Sequence, residues 1–182
     1  MAKVTTSHKK YKGVIVSRFN LAKLRAGLQA QRKDIINNLT KRLSYIGEEC
    51  VRIARGSGSY NDITGNLRSS IGYVVLYDGK PVVGGKFIAT TVQAGTRKVK
   101  RPDGSWQTIK VGGDGSAGQK AGQDLLKKLQ SEYPWGLVLI VCAGMKYAAY
   151  VEAVRHKDVL TSAELRAESL AKQLLNGFIT EK

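Results

Sequence analysis

Histidine and cysteine are scarce in this chain of 182 residues, which contains two of each. Cys50 and Cys142 lie far apart among apolar neighbours, and neither belongs to a paired ligand spacing such as Cys-x-x-Cys. We therefore expect two small buried thiols, no disulfide, no zinc site and synthesis in a reducing cytoplasm. His8 lies in a basic run and His156 in a charged loop, so a catalytic triad or a Cys-His pair would depend on His156 alone.

Acidic residues are also few, since 14 Asp and Glu oppose 30 Lys and Arg and the formal net charge is +16. Glu152 is the one acid in an apolar setting, and no carboxylate pair has the contrasting environments that general acid and base catalysis needs. We therefore predict a protein that is not an enzyme and has no cofactor and no metal. The positive charge favours contact with nucleic acid, an anionic membrane surface or an acidic protein, or else it is a solvated basic surface.

Long apolar runs are absent, because the longest, near residues 137–143, is far too short to cross a bilayer. The basic run at residues 9–12 is not followed by an apolar stretch of signal-peptide length. The glycine-rich stretch at 112–120 resembles a phosphate-binding loop, but it lacks the Gly-Lys-Ser/Thr ending. We expect a flexible loop there, and a protein that does not associate with membranes.

What the chain does contain predicts an α+β fold, in which a long N-terminal helix and a C-terminal helix pack on an antiparallel β-sheet with a projecting basic loop or β-arm. Residues 1–17 read as a basic N-terminal arm that could end in a short strand at 14–16, and residues 18–182 as a single α+β domain. Apolar residues at spacings of three, four or seven predict a helix over residues 20–55, which the glycines at 56 and 58 end. The stripe comprises Leu21, Leu24, Leu28, Ile35, Leu39, Leu43, Ile46, Cys50 and Ile53.

The middle of the chain predicts a short helical turn at 62–71 and then a hairpin, because Asp78-Gly79 separates two runs rich in β-branched residues. A basic insertion at about 94–122 follows. It contains a turn at residues 101–104 within an arm from 98 to 111, and it is either a long hairpin or a partly disordered loop. We expect the core not to need this insertion.

The last third of the chain predicts two helices and one strand. Leucines at 125, 126 and 129 indicate a helix over 123–133, which Pro134 stops, and the apolar run at 136–143 fits a central strand buried on both faces. The sequence Thr161-Ser162-Ala163-Glu164 is a capping signature that predicts the start of the C-terminal helix. That helix is expected to continue through Leu165, Leu170, Leu174 and Phe178.

Two short motifs resemble segments of one protein family. The sequence YNDITGNLRSSI at 60–71 is similar to the TGxLRxSI segment of the tailed-bacteriophage minor tail component family, and MKYAAYVEA at 145–153 is similar to its YAxxVExG segment. The order of predicted elements also resembles that family: a long helix, the first motif, a β-meander, the second motif and a C-terminal helix. The resemblance spans most of residues 18–177.

The resemblance implies a structural virion protein, namely a tail-completion or head-tail connector (neck) subunit that is synthesised in the host bacterial cytoplasm and located at the head-tail junction. Such subunits form closed rings, here most simply a hexamer or dodecamer, between the portal or adaptor and the tail tube, with non-specific proximity to the genomic DNA. The insertion at 94–122 and the N-terminal arm are then expected to make the contacts between subunits or rings. The alternative is a basic nucleic-acid-binding protein without enzymatic activity. The positive charge supports it, together with interleaved aromatic residues: Tyr11, Trp106, Tyr147 and Tyr150.

The candidate site is structural, with no catalytic, cofactor or metal residues, and consists of seven motif residues: Thr64, Gly65, Leu67, Arg68, Tyr147, Tyr150 and Glu152. Thr64 or Asp62 is expected to cap the turn, Gly65 to allow a tight entry to it, and Leu67 to fill the core. Arg68 and Glu152 are the charged members of their motifs. Either they form a bidentate pair that locks the turn to the sheet, or both point to solvent.

Overall fold

A computed structural model describes residues 20–56 and 59–179 of the chain, with side chains through residue 176. The predicted arm at 1–17, its strand at 14–16, the predicted domain boundary at 17, Gly58 and the side chain of Phe178 lie outside the described residues. The described part is an α+β structure with antiparallel sheets, a long N-terminal helix and a C-terminal helix, which confirms the predicted fold class. Its elements are α1 (Leu21–Gly56), α2 (Asn66–Ser69), β1 (Ile71–Tyr77), β2 (Lys80–Gly84), β3 (Val92–Lys100), β4 (Trp106–Gly113), α3 (Ser116–Gln130), β5 (Leu137–Ala143), α4 (Ala148–Ala153) and α5 (Thr161–Ile179).

The chain divides into two units between residues 38 and 39. The described part of the first unit is the first half of α1, where the predicted apolar stripe is exposed rather than buried. Its exposed members are Leu21, Leu24, Leu28 and Ile35. In the second unit the same stripe is buried at Ile46 and Cys50, so periodicity predicted the helix correctly but not which part of it faces a core. None of the helices that the structure describes is long and apolar enough to cross a membrane.

The main sheet has the order β2-β1-β5, and both pairs are antiparallel. The β1-β2 hairpin turns at Asp78 and Gly79, which both have positive φ, as the Asp-Gly signal predicted. The prediction that β5 is the central strand is wrong, because β1 is central and β5 lies at an edge of the described sheet. The apolar run of β5 is explained by the helices that cover both of its faces. The run does not determine which strands pair with β5, so it could not predict the strand order.

Side chains that alternate along the strands of the sheet pack into two separate apolar cores. Ile71 belongs to a cluster with Ile46 and Leu170, whereas Val74 and Ile140 belong to a cluster with the side chain of Leu126. Since successive strand residues point to opposite faces, α1 and α5 lie on one face of the sheet and α3 on the other. Leu165 of α5 is exposed, so of the leucines predicted along this helix only those at 170 and 174 contact a core.

The predicted basic insertion resolves into two structures. Residues 92–113 form a two-stranded ribbon, β3 and β4, whose turn is closed by a 3.0 Å hydrogen bond from the Gly104 N–H to the Arg101 carbonyl oxygen. Of the two alternatives for this segment, the hairpin is therefore the one found. From Ser116 the chain is helical, so the predicted flexible loop at 112–120 is wrong in its second half, and α3 begins seven residues before the predicted 123.

Two glycines in the first half of α3 let this helix approach its neighbours closely. A Cβ at Gly118 would lie 1.9 Å from the carbonyl oxygen of Asn66 in α2, and a Cβ at Gly122 would lie 2.4 Å from the ring of Phe87. Glycine is a poor helix former, but it lets two backbones approach closely. The expectation that the core does not need the insertion is therefore wrong for its last part, which packs against α2.

Candidate functional site

The two motif segments lie in contact at the end of the β1-β5 pair, with Ser70 between them. The Ser70 hydroxyl donates to the Leu67 carbonyl oxygen (2.8 Å) and accepts from the Met145 N–H (3.3 Å). The Ser70 carbonyl oxygen accepts from the Gly144 N–H (3.0 Å), which extends the strand ladder by one pair. The side chains of Leu67 and Ala148 also share one apolar cluster. The structure therefore brings together two segments that are far apart in sequence.

Gly65 and Leu67 take the places that the sequence predicted. Gly65 precedes α2 with φ of 77°, and a Cβ there would lie 1.8 Å from the carbonyl oxygen of Thr90. No other residue fits both this left-handed conformation and this close approach. Leu67 is 2% exposed and packs inside the first core. The motif thus combines a backbone requirement with an apolar anchor.

Capping of the short α2 turn comes from Asp62 and not from Thr64. The Asp62 carboxylate accepts a hydrogen bond of 3.1 Å from the Arg68 N–H, and Asp62 is buried. The residue directly before α2 is Gly65, and no side chain caps the turn from that position. Of the two alternatives, Asp62 is therefore the one found: it lies four residues before the first residue of α2, and its carboxylate reaches the N–H of the third, Arg68.

The predicted pair between Arg68 and Glu152 is wrong. The Arg68 guanidinium lies over the ring of Tyr60, 5.7 Å from its centroid, and the Arg68 Nε is buried without a hydrogen-bond partner among the described residues. The Tyr60 hydroxyl donates to the carbonyl oxygen of Ala54 (3.0 Å), and burial raises the pKa of this phenol. Arg68 therefore links the first motif to the end of α1 through an aromatic ring, not through a carboxylate.

Glu152 instead caps α5. Its Oε1 accepts hydrogen bonds from the N–H groups of Val159 (3.4 Å), Leu160 (2.9 Å) and Thr161 (2.8 Å) and from the Thr161 hydroxyl (2.6 Å). Burial by itself raises the pKa of Glu152, but these hydrogen bonds outweigh it, and the net pKa lies below the usual value. A carboxylate at the start of a helix also meets the positive end of the helix dipole. The second motif therefore fixes the position of the C-terminal helix.

The signature at Thr161 to Glu164 predicted the start of α5 correctly, but its own side chains do not form the cap. Thr161 already lies inside α5, and its hydroxyl donates to Glu152 instead of accepting from the helix. Asp158 supplies a second cap, since its carboxylate accepts the N–H of Ser162 (3.0 Å). Because both carboxylates come from before the helix, the predicted Glu164 is left exposed.

Tyr147 and Tyr150 flank the start of α4 and lie at the surface, 40% and 53% exposed. Partial burial raises the pKa of Tyr147, and the nearby Asp62 carboxylate adds to the effect. The closeness of Asp62 and Tyr147 is a second link between the two motifs. Neither ring belongs to an apolar cluster of the described residues, so these two motif aromatics are available at the surface.

Sequence reasoning missed the serines at 69 and 70, which are both 0% exposed. The Ser69 hydroxyl donates to the Gly65 carbonyl oxygen (2.6 Å) and accepts from the Thr90 N–H (2.7 Å). It thereby ties the first motif to the chain that leads into β3. A pair of serines directly before a buried strand was the available signal, but their type alone suggests a solvated turn.

Reactive groups in the described part are protected or isolated. Cys50 and Cys142 are free and buried as predicted, and burial raises the pKa of the Cys142 thiol to about 11. Among residues 20–56 and 59–176, no three His, Cys, Asp or Glu side chains are grouped to hold a metal ion. A groove of about 280 Å³ lies against β5 and α5, and apolar side chains make up most of its lining.

In comparisons with known proteins, the chain matches no family model, no curated protein and no solved structure.

Proposed function

We propose that this chain is a structural virion protein of a tailed phage, a tail-completion or head-tail connector (neck) subunit that has no enzymatic activity and no cofactor. One observation carries the proposal: the two motifs that resemble the minor tail component family meet at Ser70 and share one core. Their polar groups are used to cap helices and to join segments, as expected of a building block. The motifs are therefore scaffold, and the contacts with other subunits lie elsewhere on the chain.

The open edge of β5 supports self-association. Hydrogen bonds from the Gly144 N–H to Ser70 and from the Asp78 N–H to Gly136 fix which residues of this strand face β1, namely the even-numbered ones. Leu139 and Val141 therefore point their N–H and C=O groups away from β1, and no hydrogen bond from another described residue reaches these groups. An apolar edge strand without proline or charge is a template for another strand. At the opposite edge, β2 contains Lys80 and Pro81, which oppose pairing.

A closed ring needs a heterologous interface, in which one patch of a subunit meets a different patch of the next. We assign one patch to the β5 edge and the other to the N-terminal arm, whose predicted strand at 14–16 would add to β5 of the neighbouring subunit. The half-buried face of the β3-β4 ribbon, with Val99, Ile109 and Val111, is the proposed contact between rings. Portal or adaptor proteins and tail-tube proteins are the proposed partners at the two sides of the ring, in the virion.

The test is the mass of the purified full-length protein in solution, measured by native mass spectrometry with and without candidate connector proteins. A hexamer or dodecamer is expected. Ile15→Pro should prevent the ring because proline cannot donate to a strand ladder, whereas the control Thr5→Pro should preserve it. A monomer or a dimer for the unaltered chain under all conditions would overturn the proposal, and so would rings that tolerate Ile15→Pro.

A further inference from the structure

One face of the β3-β4 ribbon is made of lysine, threonine and tryptophan alone. Residues directly opposite in an antiparallel pair share a face, and the register pairs Thr96 with Lys110, Lys98 with Thr108 and Lys100 with Trp106. We call these six residues the lysine face. All six are exposed, and the Trp106 side chain is 68% exposed. The lysine face therefore presents three ammonium groups, two hydroxyls and an indole to solvent, with no carboxylate among them.

The opposite face of the ribbon differs in burial. Val99, Ile109 and Val111 alternate with the lysine-face residues along the two strands and are half-buried. The one acid of the ribbon, Asp103, lies in the turn, where its carboxylate accepts the N–H (2.8 Å) and the hydroxyl (2.6 Å) of Ser105. These hydrogen bonds hold the pKa of Asp103 below its usual range, so it remains charged at the tip. The one carboxylate of the ribbon therefore lies in the turn and not on the lysine face.

We propose that the lysine face binds the phosphate backbone of duplex DNA without sequence specificity. Lysine and threonine side chains are regular donors to phosphate oxygens, and a two-stranded β-ribbon has the width that the major groove of B-DNA admits. An acidic protein is a poorer fit, because lysine is depleted in protein interfaces, whose centres are apolar. This inference goes beyond the proposed function and does not depend on it, since any duplex supplies the ligand.

The test compares two triple variants of equal net charge by the fluorescence anisotropy of a labelled duplex. Lys98→Gln, Lys100→Gln and Lys110→Gln together remove the lysine-face charge, while Lys41→Gln, Lys127→Gln and Lys128→Gln remove three exposed charges elsewhere. Each phosphate contact contributes about 0.9 to the slope of log affinity against log salt, so the ribbon variant should lose about 2.7 from that slope. At ~0.1 M salt it should bind at least about tenfold more weakly, and the control variant should keep most of its affinity.

A second readout follows the indole directly. The chain has two tryptophans, so Trp135→Phe leaves Trp106 as the only one, and its emission should change when duplex is added. Equal loss in both triple variants, or unchanged Trp106 emission, would overturn the proposal and leave only a diffuse effect of net charge. Polyglutamate that competes as well as DNA would also overturn it, because the surface would then accept any polyanion. Ring mass is a separate measurement that the ribbon variant should not alter, so this inference and the proposed function can fail independently.

Discussion

Replacement of Glu152 tests whether the second motif works as a helix cap. Four hydrogen bonds converge on one carboxylate oxygen, three from backbone N–H groups at the start of α5 and one from the Thr161 hydroxyl. Glu152→Ala removes the oxygen that accepts all four hydrogen bonds and leaves the N–H groups without a partner. Glu152→Gln keeps an oxygen of similar position but removes the charge. The two variants therefore separate the loss of the hydrogen bonds from the loss of the charge.

The expected size follows from the number and kind of bonds. Replacing a capping side chain by alanine costs about 0.5–2 kcal/mol, and hydrogen bonds to a charged group are worth about 1.5–3 kcal/mol. Because all four bonds share one oxygen and part of the site is solvated, Glu152→Ala should lower the free energy of unfolding by about 2 kcal/mol and Glu152→Gln by about 1 kcal/mol. For a chain of this size, a loss of 2 kcal/mol lowers the midpoint of thermal unfolding by about 4–8 °C.

The pH dependence has a definite sign. The pKa of Glu152 is lower in the folded chain than in the unfolded chain, where it is about 4.3, so the folded state favours the carboxylate. Its contribution to stability is therefore complete above the unfolded pKa and is lost as the pH falls through the folded pKa. The stability difference between the unaltered chain and Glu152→Gln should be largest near neutral pH and should shrink on acidification below about 4.3.

Urea unfolding followed by circular dichroism measures these differences, and Glu164→Gln is the matched control. Glu164 is the acid that the capping signature would use, but in the structure it is exposed and does not cap the helix. Its replacement should cost less than about 0.5 kcal/mol, through the helix dipole alone. If Glu164→Gln cost more than Glu152→Gln, the capping assignment would be refuted. When Arg68→Ala and Glu152→Ala are combined, their losses of unfolding free energy should add. A strong coupling between the two would instead indicate a direct Arg68–Glu152 pair, which the structure does not contain.

Three further predictions concern the packing between segments. Gly118→Ala should destabilise the protein by about 2 kcal/mol through its clash with α2, whereas Gly27→Ala, whose Cβ meets nothing within 4 Å, should stabilise it by up to about 1 kcal/mol, as urea unfolding would show. Ser70→Ala should cost about 1–3 kcal/mol in the same assay, because it removes the hydroxyl that joins the two motifs, and a neutral effect would contradict that role. Cys50 and Cys142 should react with a thiol reagent at neutral pH only after unfolding, since both are buried, and fast reaction of the native protein would be the contrary result.

Local patterns predicted those elements whose causes are local. The long helix follows from apolar spacing, and the β1-β2 turn follows from Asp78-Gly79, because both signals depend on the conformation of neighbouring residues. The caps of α2 and α5 come from Asp62 and Glu152, which lie several residues before the helices they serve. A sequence pattern searches for a cap near the helix start, so it offered Thr64 beside Asp62 for α2, and for α5 it gave the signature at 161–164 and not Glu152.

Glycine misled the reading of α3 for a related reason. In isolation, the glycines at 112–122 suggest a flexible loop, since glycine carries the largest entropy cost on folding. In the structure Gly118 and Gly122 lie inside a helix and allow it to approach α2 and Phe87. Their role depends on Asn66 and Phe87, which lie 52 and 35 residues away in the chain, and closing loops of that length costs little extra entropy. Only the three-dimensional structure distinguishes a glycine that allows a flexible loop from one that lets a helix pack closely against its neighbours.

In the part of the chain that the structure describes, some polar and apolar groups are used within the fold and others are free to bind a partner. The motif carboxylates and serines are occupied by hydrogen bonds within the fold, so substitutions there should act through stability. Backbone donors and acceptors without described partners occur along the β5 edge, exposed apolar side chains along the first half of α1, and exposed ammonium groups on the lysine face. A binding surface needs groups that folding leaves free. Substitutions at these three places should therefore weaken assembly or ligand binding and leave the free energy of unfolding nearly constant. A variant of the lysine face that lost stability as well as DNA binding would contradict this separation.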